Sequence, residues 1–218
     1  PYTVFAWYNL SCAFKGLNKI DEAIDALEYA LAIDDTLDFA YQDIIELYII
    51  NKNYKKALEV IKDFEGRFDA DEEIFLLKGQ CHESLLEYKL SRYYYKRALH
   101  SNPNIPEAYF RIGETYKAED NWEQAYKFFI KAAELDKQDY DYQIVAAEAA
   151  QITKEVEKAI EITESAIDLS VSRFEAYILM SQIFLHAGDA ETALEIIDKG
   201  IQFCKSNDEL KFARIAII

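Results

Sequence analysis

The sequence repeats with a period of 34, and this period constrains the fold more than any other feature. Steps of 34 from Ala23 reach a small residue each time: Ala57, Ser91, Ala125, Ala159 and Ala193. Steps of 34 from Trp7 reach an aromatic residue in all copies but one: Tyr41, Phe75, Tyr109, Gln143 and Tyr177. A fixed period of this length is typical of supersecondary units that stack and cover each other's apolar faces.

Each unit is predicted to contain two helices. The apolar and small residues recur at spacings of three, four and seven, as on one face of an α-helix. In the clearest unit, Pro106 suits the first position of a helix, and Asp120 with Asn121 separates that helix from a second one at Trp122–Leu135. Small residues such as Gly113 let the two backbones approach between large aromatic side chains. The chain is therefore predicted to be an all-α solenoid of helix hairpins.

Residues that are 34 positions apart form a column, and the order of these columns within one unit resembles the tetratricopeptide repeat (TPR). Its aromatic, apolar and small positions are met by Trp7, Leu10, Ser11, Phe14, Ala23, Leu27 and Ala30, and again by Tyr109, Ile112, Gly113, Tyr116, Ala125, Phe129 and Ala132. The resemblance implies a right-handed superhelical α-solenoid of antiparallel helix hairpins. It implies a single domain over residues 1–218, with units at about 4–37, 38–71, 72–105, 106–139, 140–173 and 174–207.

Residues 208–218 are predicted to form the first helix of a truncated further unit. The apolar residues of DELKFARIAII fit the repeat best if the preceding loop has gained one residue. That register places Phe212, Ile215 and Ala216 in the aromatic, apolar and small columns. Because the sequence stops at Ile218 on an apolar stretch, without the second helix of this unit, we expect that the parent protein continues with further repeats.

Charge and cysteine content narrow the classes of partner. The formal net charge of −16 disfavours nucleic acid and anionic membrane surfaces, which attract clustered Lys and Arg. The three cysteines Cys12, Cys81 and Cys204 are far apart and suggest a reduced intracellular chain. No leader and no apolar run long enough to cross a bilayer is visible, so we expect a cytoplasmic protein without a membrane span.

A search for catalytic or metal-binding residues finds little. The histidines His82, His100 and His186 lie in different units and lack metal-ligand spacing. The acidic run at 69–73 lacks the ligand pattern of a calcium loop, and it suits the N-terminus of a helix. The tyrosine run at 93–95 is a weak candidate for base stacking in so acidic a chain. We therefore expect no enzyme activity, no metal and no cofactor in this segment.

The resemblance implies a binding groove along the first helices of the units. The implied peptide-binding positions are acidic and apolar: Phe5, Tyr8, Phe39, Gln42, Asp43, Glu46, Glu73, Leu76, Leu77, Gln80, Glu83, Glu107, Phe110, Arg111, Glu114, Lys117, Asp141, Ile144, Val145, Glu148, Glu175, Ile178, Leu179 and Gln182. A protein-interaction scaffold is the leading hypothesis, in which this concave groove receives a basic and apolar peptide or a partner helix.

Several alternatives stay open at this point. The acids could merely solvate an exposed face while the apolar residues pack inside the solenoid. The repeats could self-associate into a homo-oligomer or act as a spacer in a larger protein whose activity lies outside this segment. One use of the family is disfavoured, because Tyr8, Cys12, Asp43, Glu73 and Leu77 replace the Lys, Asn and Arg of a clamp for chaperone C-terminal carboxylates.

Overall fold

A computed structural model describes residues 3–204 and 207–218, and the regular structure in this part of the chain is entirely α-helical. The described residues form thirteen helices: α1 (Val4–Gly16), α2 (Ile20–Ile33), α3 (Asp38–Ile50), α4 (Tyr54–Glu65), α5 (Glu72–Ser84), α6 (Tyr88–Ser101), α7 (Pro106–Ala118), α8 (Trp122–Leu135), α9 (Tyr140–Ile152), α10 (Val156–Leu169), α11 (Phe174–His186), α12 (Ala190–Phe203) and α13 (Asp208–Ile217). The prediction of an all-α chain of helix hairpins is confirmed.

The chain divides into two compact units, Pro1–Pro103 and Asn104–Ile218. The first contains three hairpins, in which α1 packs on α2, α3 on α4 and α5 on α6. The second contains the hairpins α7–α8, α9–α10 and α11–α12, followed by α13, which packs on α12 and α11. Thirteen helices fit six tandem repeats and one further helix. The prediction of one continuous domain stays a prediction.

Every hairpin turns through one residue with a left-handed backbone. These residues are Asn18, Lys52, Leu86, Asp120, Lys154 and Gly188, with φ of 57°, 58°, 61°, 57°, 66° and 83°. They are spaced by 34, so the turn has the same length in each hairpin. Glycine, asparagine and aspartate tolerate this conformation, whereas leucine is strained in it.

Close helix contact in two hairpins depends on glycine opposite an aromatic ring. A Cβ atom added to Gly79 would lie 2.5 Å from the Tyr95 ring, and one added to Gly113 would lie 2.5 Å from the Phe129 ring. Steps of 34 show what replaces these pairs elsewhere: Ser11 with Leu27, Ile45 with Ile61, Ala147 with Thr163 and Ser181 with Ile197. All of these residues are buried. Where the first helix carries a residue larger than glycine, the second helix therefore carries a residue smaller than an aromatic one.

Each compact unit has its own apolar interior. In residues 1–103, Ile44, Ile61 and Ile74 belong to one cluster with exposures of 2%, 0% and 0%. In residues 104–218, Phe129 and Ala147 belong to a cluster formed by α7 to α11. The cores hold the first helices of each unit in fixed positions, which matters because the predicted binding residues lie on those helices.

The register predicted for α13 is wrong. Leu210 is fully buried against the cluster of Tyr177 and Ile197, whereas Phe212 and Ile215 are 71% and 70% exposed. Leu210 lies one repeat period after Ala176, which is also fully buried. The repeat therefore continues without the extra loop residue, since four residues separate α12 from α13, as they separate α10 from α11. The apolar pattern was misleading because the exposed face of α13 is as apolar as its buried face.

Replacing Ser91 with alanine is expected to stabilise the protein by about 1 kcal/mol, because the change removes a buried hydroxyl group that has no hydrogen-bond partner among the described residues. Ser91 stands in a column that holds alanine in the other five units. Urea unfolding followed by circular dichroism measures the change. Ser11→Ala is the matched control, because the Ser11 hydroxyl donates to the Tyr8 carbonyl oxygen at 2.7 Å. A Ser91→Ala variant no more stable than the parent would contradict the prediction.

Candidate functional site

The predicted binding residues lie on the first helix of each hairpin, and we describe them in two groups. The N-terminal first-helix surface comprises the predicted residues of α1, α3 and α5, and the C-terminal first-helix surface comprises those of α7, α9 and α11. Most of these side chains are exposed or half-buried. Leu179 differs, because it is 7% exposed and packs in the core cluster that includes Ile183 and Ala150. It therefore offers little surface to a partner.

On the N-terminal first-helix surface, Tyr8 links α1 to α3. Its ring meets the Phe39 ring edge-on at 4.8 Å between centroids. Its hydroxyl donates to Asp43 Oδ2 at 2.8 Å. That hydrogen bond and partial burial raise the pKa of Tyr8. Tyr8 therefore stays a neutral donor that fixes the position of the Asp43 carboxylate.

Lys15 neutralises part of the acidity predicted for this surface. Its Nζ lies 3.3 Å from Asp43 Oδ1 and 3.2 Å from Glu46 Oε2. Partial burial opposes the charge, but the hydrogen bonds to Glu46 and Asp43 prevail and raise the pKa of Lys15. Lys15 is absent from the predicted residues, although it stands three steps of 34 before Lys117, which is among them. The repeat itself was the signal that could have found it.

Glu73 marks an excess of negative charge at the start of α5. Partial burial and the nearby carboxylates Asp71, Glu46 and Glu72 raise its pKa. Burial is the larger cause and disfavours any charge, whereas the three carboxylates disfavour only a further negative charge. Those carboxylates would stabilise a cationic group placed beside Glu73.

The Glu83 carboxylate of this surface is held by a residue of the next helix. The Tyr95 hydroxyl donates to Glu83 Oε2 at 2.5 Å. Leu76, Leu77 and Gln80 are half-buried on the same helix, so apolar surface stays accessible between the carboxylates of α5.

The C-terminal first-helix surface is built around Phe110. Its ring centroid lies 5.7 Å from that of Phe129 and 5.1 Å from that of Tyr142. Ile144 and Val145 are half-buried and pack on the same core cluster. These contacts fix apolar side chains at the surface, where they keep part of their area accessible.

An ion pair of the N-terminal surface recurs here. Lys117 Nζ lies 3.2 Å from Glu148 Oε2, and Lys117 stands 31 residues before Glu148, as Lys15 stands 31 residues before Glu46. The Lys117 ammonium also lies 5.4 Å from the Trp122 ring centroid. Neighbouring first helices are thus joined by equivalent pairs in the two compact units.

Arg173 holds two further predicted acids. It contacts Asp141 at 2.8 Å and Glu175 at 3.2 Å, and its guanidinium lies 3.8 Å from the Tyr140 ring centroid. Arg111 approaches Glu107 at 3.5 Å in the same way along one helix. The column of Arg173 holds no other basic residue, so the sequence contains no signal for its role.

The remaining titratable groups show no catalytic arrangement within the described residues. His82 Nδ1 lies 2.6 Å from Glu87 Oε2, and the His82 ring stacks on Tyr94 at 5.2 Å. Burial raises the pKa of the Cys81 thiol to about 12, so the thiol stays protonated at neutral pH and is a poor nucleophile. The described residues contain no group of three or more His, Cys, Asp and Glu side chains that could hold a metal ion. None of their helices combines the length and apolarity needed to cross a membrane.

Comparison with known proteins finds repeats of one kind. The tetratricopeptide repeat family model matches residues 6–36 and 106–139. Two curated proteins are similar in sequence. The BBSome complex member BBS4 of Bos taurus is 26% identical over 77% of this chain and 32% of its own length. The TPR repeat-containing protein MJ1428 of Methanocaldococcus jannaschii is 27% identical over 92% of this chain and 44% of its own length. The chain thus spans less than half the length of either relative.

A solved structure shares the fold. The crystal structure of YrrB, described as a TPR protein with an unusual peptide-binding site, superposes with a TM-score of 0.60. The match covers 84% of this chain and 90% of that one, at 24% sequence identity. At this identity the likeness establishes the helical-hairpin fold and leaves the site to be argued from the residues.

Proposed function

Because this chain belongs to the tetratricopeptide repeat family, we propose that it is a non-enzymatic protein-interaction scaffold whose first-helix surfaces bind a basic and apolar segment of a partner protein. The family fold supports a role in protein–protein interaction. The chemistry of the segment is inferred from the residues that stay accessible on the first helices.

The environment of Glu73 is the observation that carries the proposal. Partial burial and three carboxylates raise its pKa, and Lys15 is held by Asp43 and Glu46. A Lys or Arg of a bound segment would therefore enter a negative potential that the chain itself leaves uncompensated. A neutral or acidic segment would gain nothing there.

Apolar side chains supply contact area on both surfaces. Phe39 and Leu76 are half-buried on the N-terminal first-helix surface, as are Phe110 and Ile144 on the C-terminal one. Packing against the cores already restricts the motion of these side chains, so they lose little further entropy when a partner contacts them. A segment that alternates basic and apolar residues matches this composition best.

The internal ion pairs adjust which acids attract the partner. Glu148 and Asp141 already have cationic partners, so their attraction for a second cation is reduced. Glu46 shares its partner Lys15 with a second acid, so this group keeps a net negative charge. Glu46 and Glu73 are thereby left as the acids with the largest expected influence on binding.

The Glu46→Gln/Glu73→Gln double variant is expected to bind a basic amphipathic peptide about tenfold more weakly than the parent at low salt, because two charges leave the attractive potential. The probe is a fluorescent synthetic peptide of about 16 residues with Lys and Leu at helical spacing. Fluorescence anisotropy measures the Kd from low to high salt. We expect the difference between parent and variant to shrink as salt rises.

The Glu22→Gln/Glu59→Gln variant is the matched control. It removes the same charge from exposed acids of second helices in the same compact unit. If long-range charge alone drove binding, both double variants would weaken it equally. An unchanged Kd and salt dependence for Glu46→Gln/Glu73→Gln would remove the basis of the proposal.

A further inference from the structure

One second helix differs from the rest in its exposed face. Seven exposed residues lie in the turn before α6 and along α6 itself, and each has another member of the set three or four residues away. We name them the α6 stripe: Leu86, Lys89, Leu90, Tyr93, Lys96, Arg97 and His100. The exposures of Leu86, Leu90 and Tyr93 are 71%, 47% and 53%. Leu90 and Tyr93 thus share the solvent-exposed face of α6 with cationic side chains, and Leu86 is exposed in the turn just before this helix.

These apolar residues are exceptions to the repeat. Steps of 34 from Leu86 reach Asn18, Lys52, Asp120, Lys154 and Gly188; steps from Leu90 reach Glu22, Lys56, Gln124, Lys158 and Thr192; and steps from Tyr93 reach Asp25, Glu59, Lys127, Glu161 and Glu195. The other five units therefore carry a polar residue or glycine at all three positions. The fold does not require an apolar side chain there, so a separate explanation is needed.

The charge of α6 is also reversed. The segment Tyr88–Ser101 contains no Asp or Glu and four Lys or Arg residues, in a chain whose net charge is −16. Three of these cations, Lys89, Lys96 and Arg97, belong to the exposed stripe. The Arg97 guanidinium lies 4.2 Å from the Phe75 ring centroid, which holds its charge at this face.

Leu86 adds backbone strain to its exposure. It occupies the left-handed turn position with φ of 61°, where Asn18 and Gly188 stand in other hairpins. A leucine in this conformation is less stable than asparagine or glycine, and its exposed side chain gains little from burial. A bound partner that covered the Leu86 side chain would explain why a leucine is present at this strained position.

We propose that the α6 stripe is a second docking surface, which binds an acidic segment of a partner protein that carries apolar side chains. Leu86, Leu90 and Tyr93 contact the apolar side chains, while Lys89 and Arg97 pair with the carboxylates. The opposite sign of charge separates this surface from the first-helix surfaces. Nucleic acid fits less well, because the exposed leucines have no counterpart on a phosphate backbone and the net charge is repulsive.

The Leu86→Asn/Leu90→Gln/Tyr93→Gln triple variant tests this surface without changing the net charge. The probe is a fluorescent peptide of about 16 residues with Glu and Leu at helical spacing, and its Lys and Leu counterpart serves as the comparison peptide. We expect saturable binding of the acidic peptide to the parent chain. We expect the triple variant to bind it at least about tenfold more weakly, since the apolar contacts carry most of the affinity.

Leu17→Asn/Ile33→Gln is the matched control, because Leu17 and Ile33 are 69% and 56% exposed on another hairpin of the same compact unit. It should bind the acidic peptide like the parent chain. Equal loss in both variants would overturn the proposal, as would the absence of saturable binding to the parent. An oligothymidine that displaces the peptide would assign the surface to nucleic acid instead. Peptide-free dimers lost only in the triple variant would assign it to a second copy of the chain.

The first-helix proposal can fail independently. Glu46→Gln/Glu73→Gln should leave binding of the acidic peptide unchanged or slightly stronger, because it removes negative charge that repels the peptide. If that variant and the triple variant weakened binding alike, the α6 stripe would have no site of its own.

Discussion

Replacing Gly113 with alanine is expected to destabilise the protein by about 2–3 kcal/mol, because the new methyl group overpacks a core contact. The added Cβ would lie 2.5 Å from ring atoms of Phe129, which is fully buried. Helices α7 and α8 would have to separate or the ring would have to leave its rotamer. Urea unfolding followed by circular dichroism measures the loss.

Two further variants decide whether close approach is the cause. Gly16→Ala should be neutral or slightly stabilising, since an added Cβ meets no atom within 4 Å and alanine restricts the unfolded chain. Phe129→Leu in the Gly113→Ala background should recover part of the loss, because Ser11 with Leu27 is an equivalent pair without glycine. If Gly113→Ala were as stable as the parent, the helices could not be in contact at this point.

Replacing Leu210 with alanine is expected to cost about 3 kcal/mol in the packing of α13, because it leaves a cavity beside Tyr177 and Ile197. Phe212→Ala should cost little, since Phe212 is 71% exposed. Hydrogen exchange of the α13 amides measures the effect directly, because loss of packing opens this helix before the rest of the unit.

The comparison of these two variants tests the register of α13. The register with an extra loop residue predicts the reverse order, with Phe212 in a packed column. A large loss of protection in Phe212→Ala with little change in Leu210→Ala would therefore restore that register. The same measurement on both variants needs no assumption about cooperativity along the repeats.

Much of the fold was predictable because the constraint is repeated. The period places each helix pair, and the helices begin at Asp38, Glu72 and Pro106, where the predicted units begin. Failure occurred at α13, where one copy of the pattern had to be placed without its partner helix. Its apolar residues occupy two faces, so periodicity alone could not decide which face is buried.

The candidate site was less predictable because it depends on contacts between neighbouring repeats. The sequence indicates which residues lie on the first helices, but it does not show that Lys15 approaches Asp43 and Glu46 or that Arg173 approaches Asp141. Which long, exposed side chains form ion pairs depends on distances between neighbouring helices, and the residue types at the repeated positions do not show those distances. Because of this pairing, the negative charge available to a cationic partner is not spread evenly over the first helices and is greatest around Glu73.

The constant length of the left-handed turns makes the hairpins interchangeable parts. Within each compact unit, a deletion or duplication of one whole period returns every helix to the same column, whatever residue it begins at. A change that is one residue shorter or longer than the period, with its junction inside a helix, would rotate the rest of that helix by about 100° and turn part of its apolar face to water. Lengthening by whole repeats is therefore the route by which such a chain can gain surface without redesigning its interior.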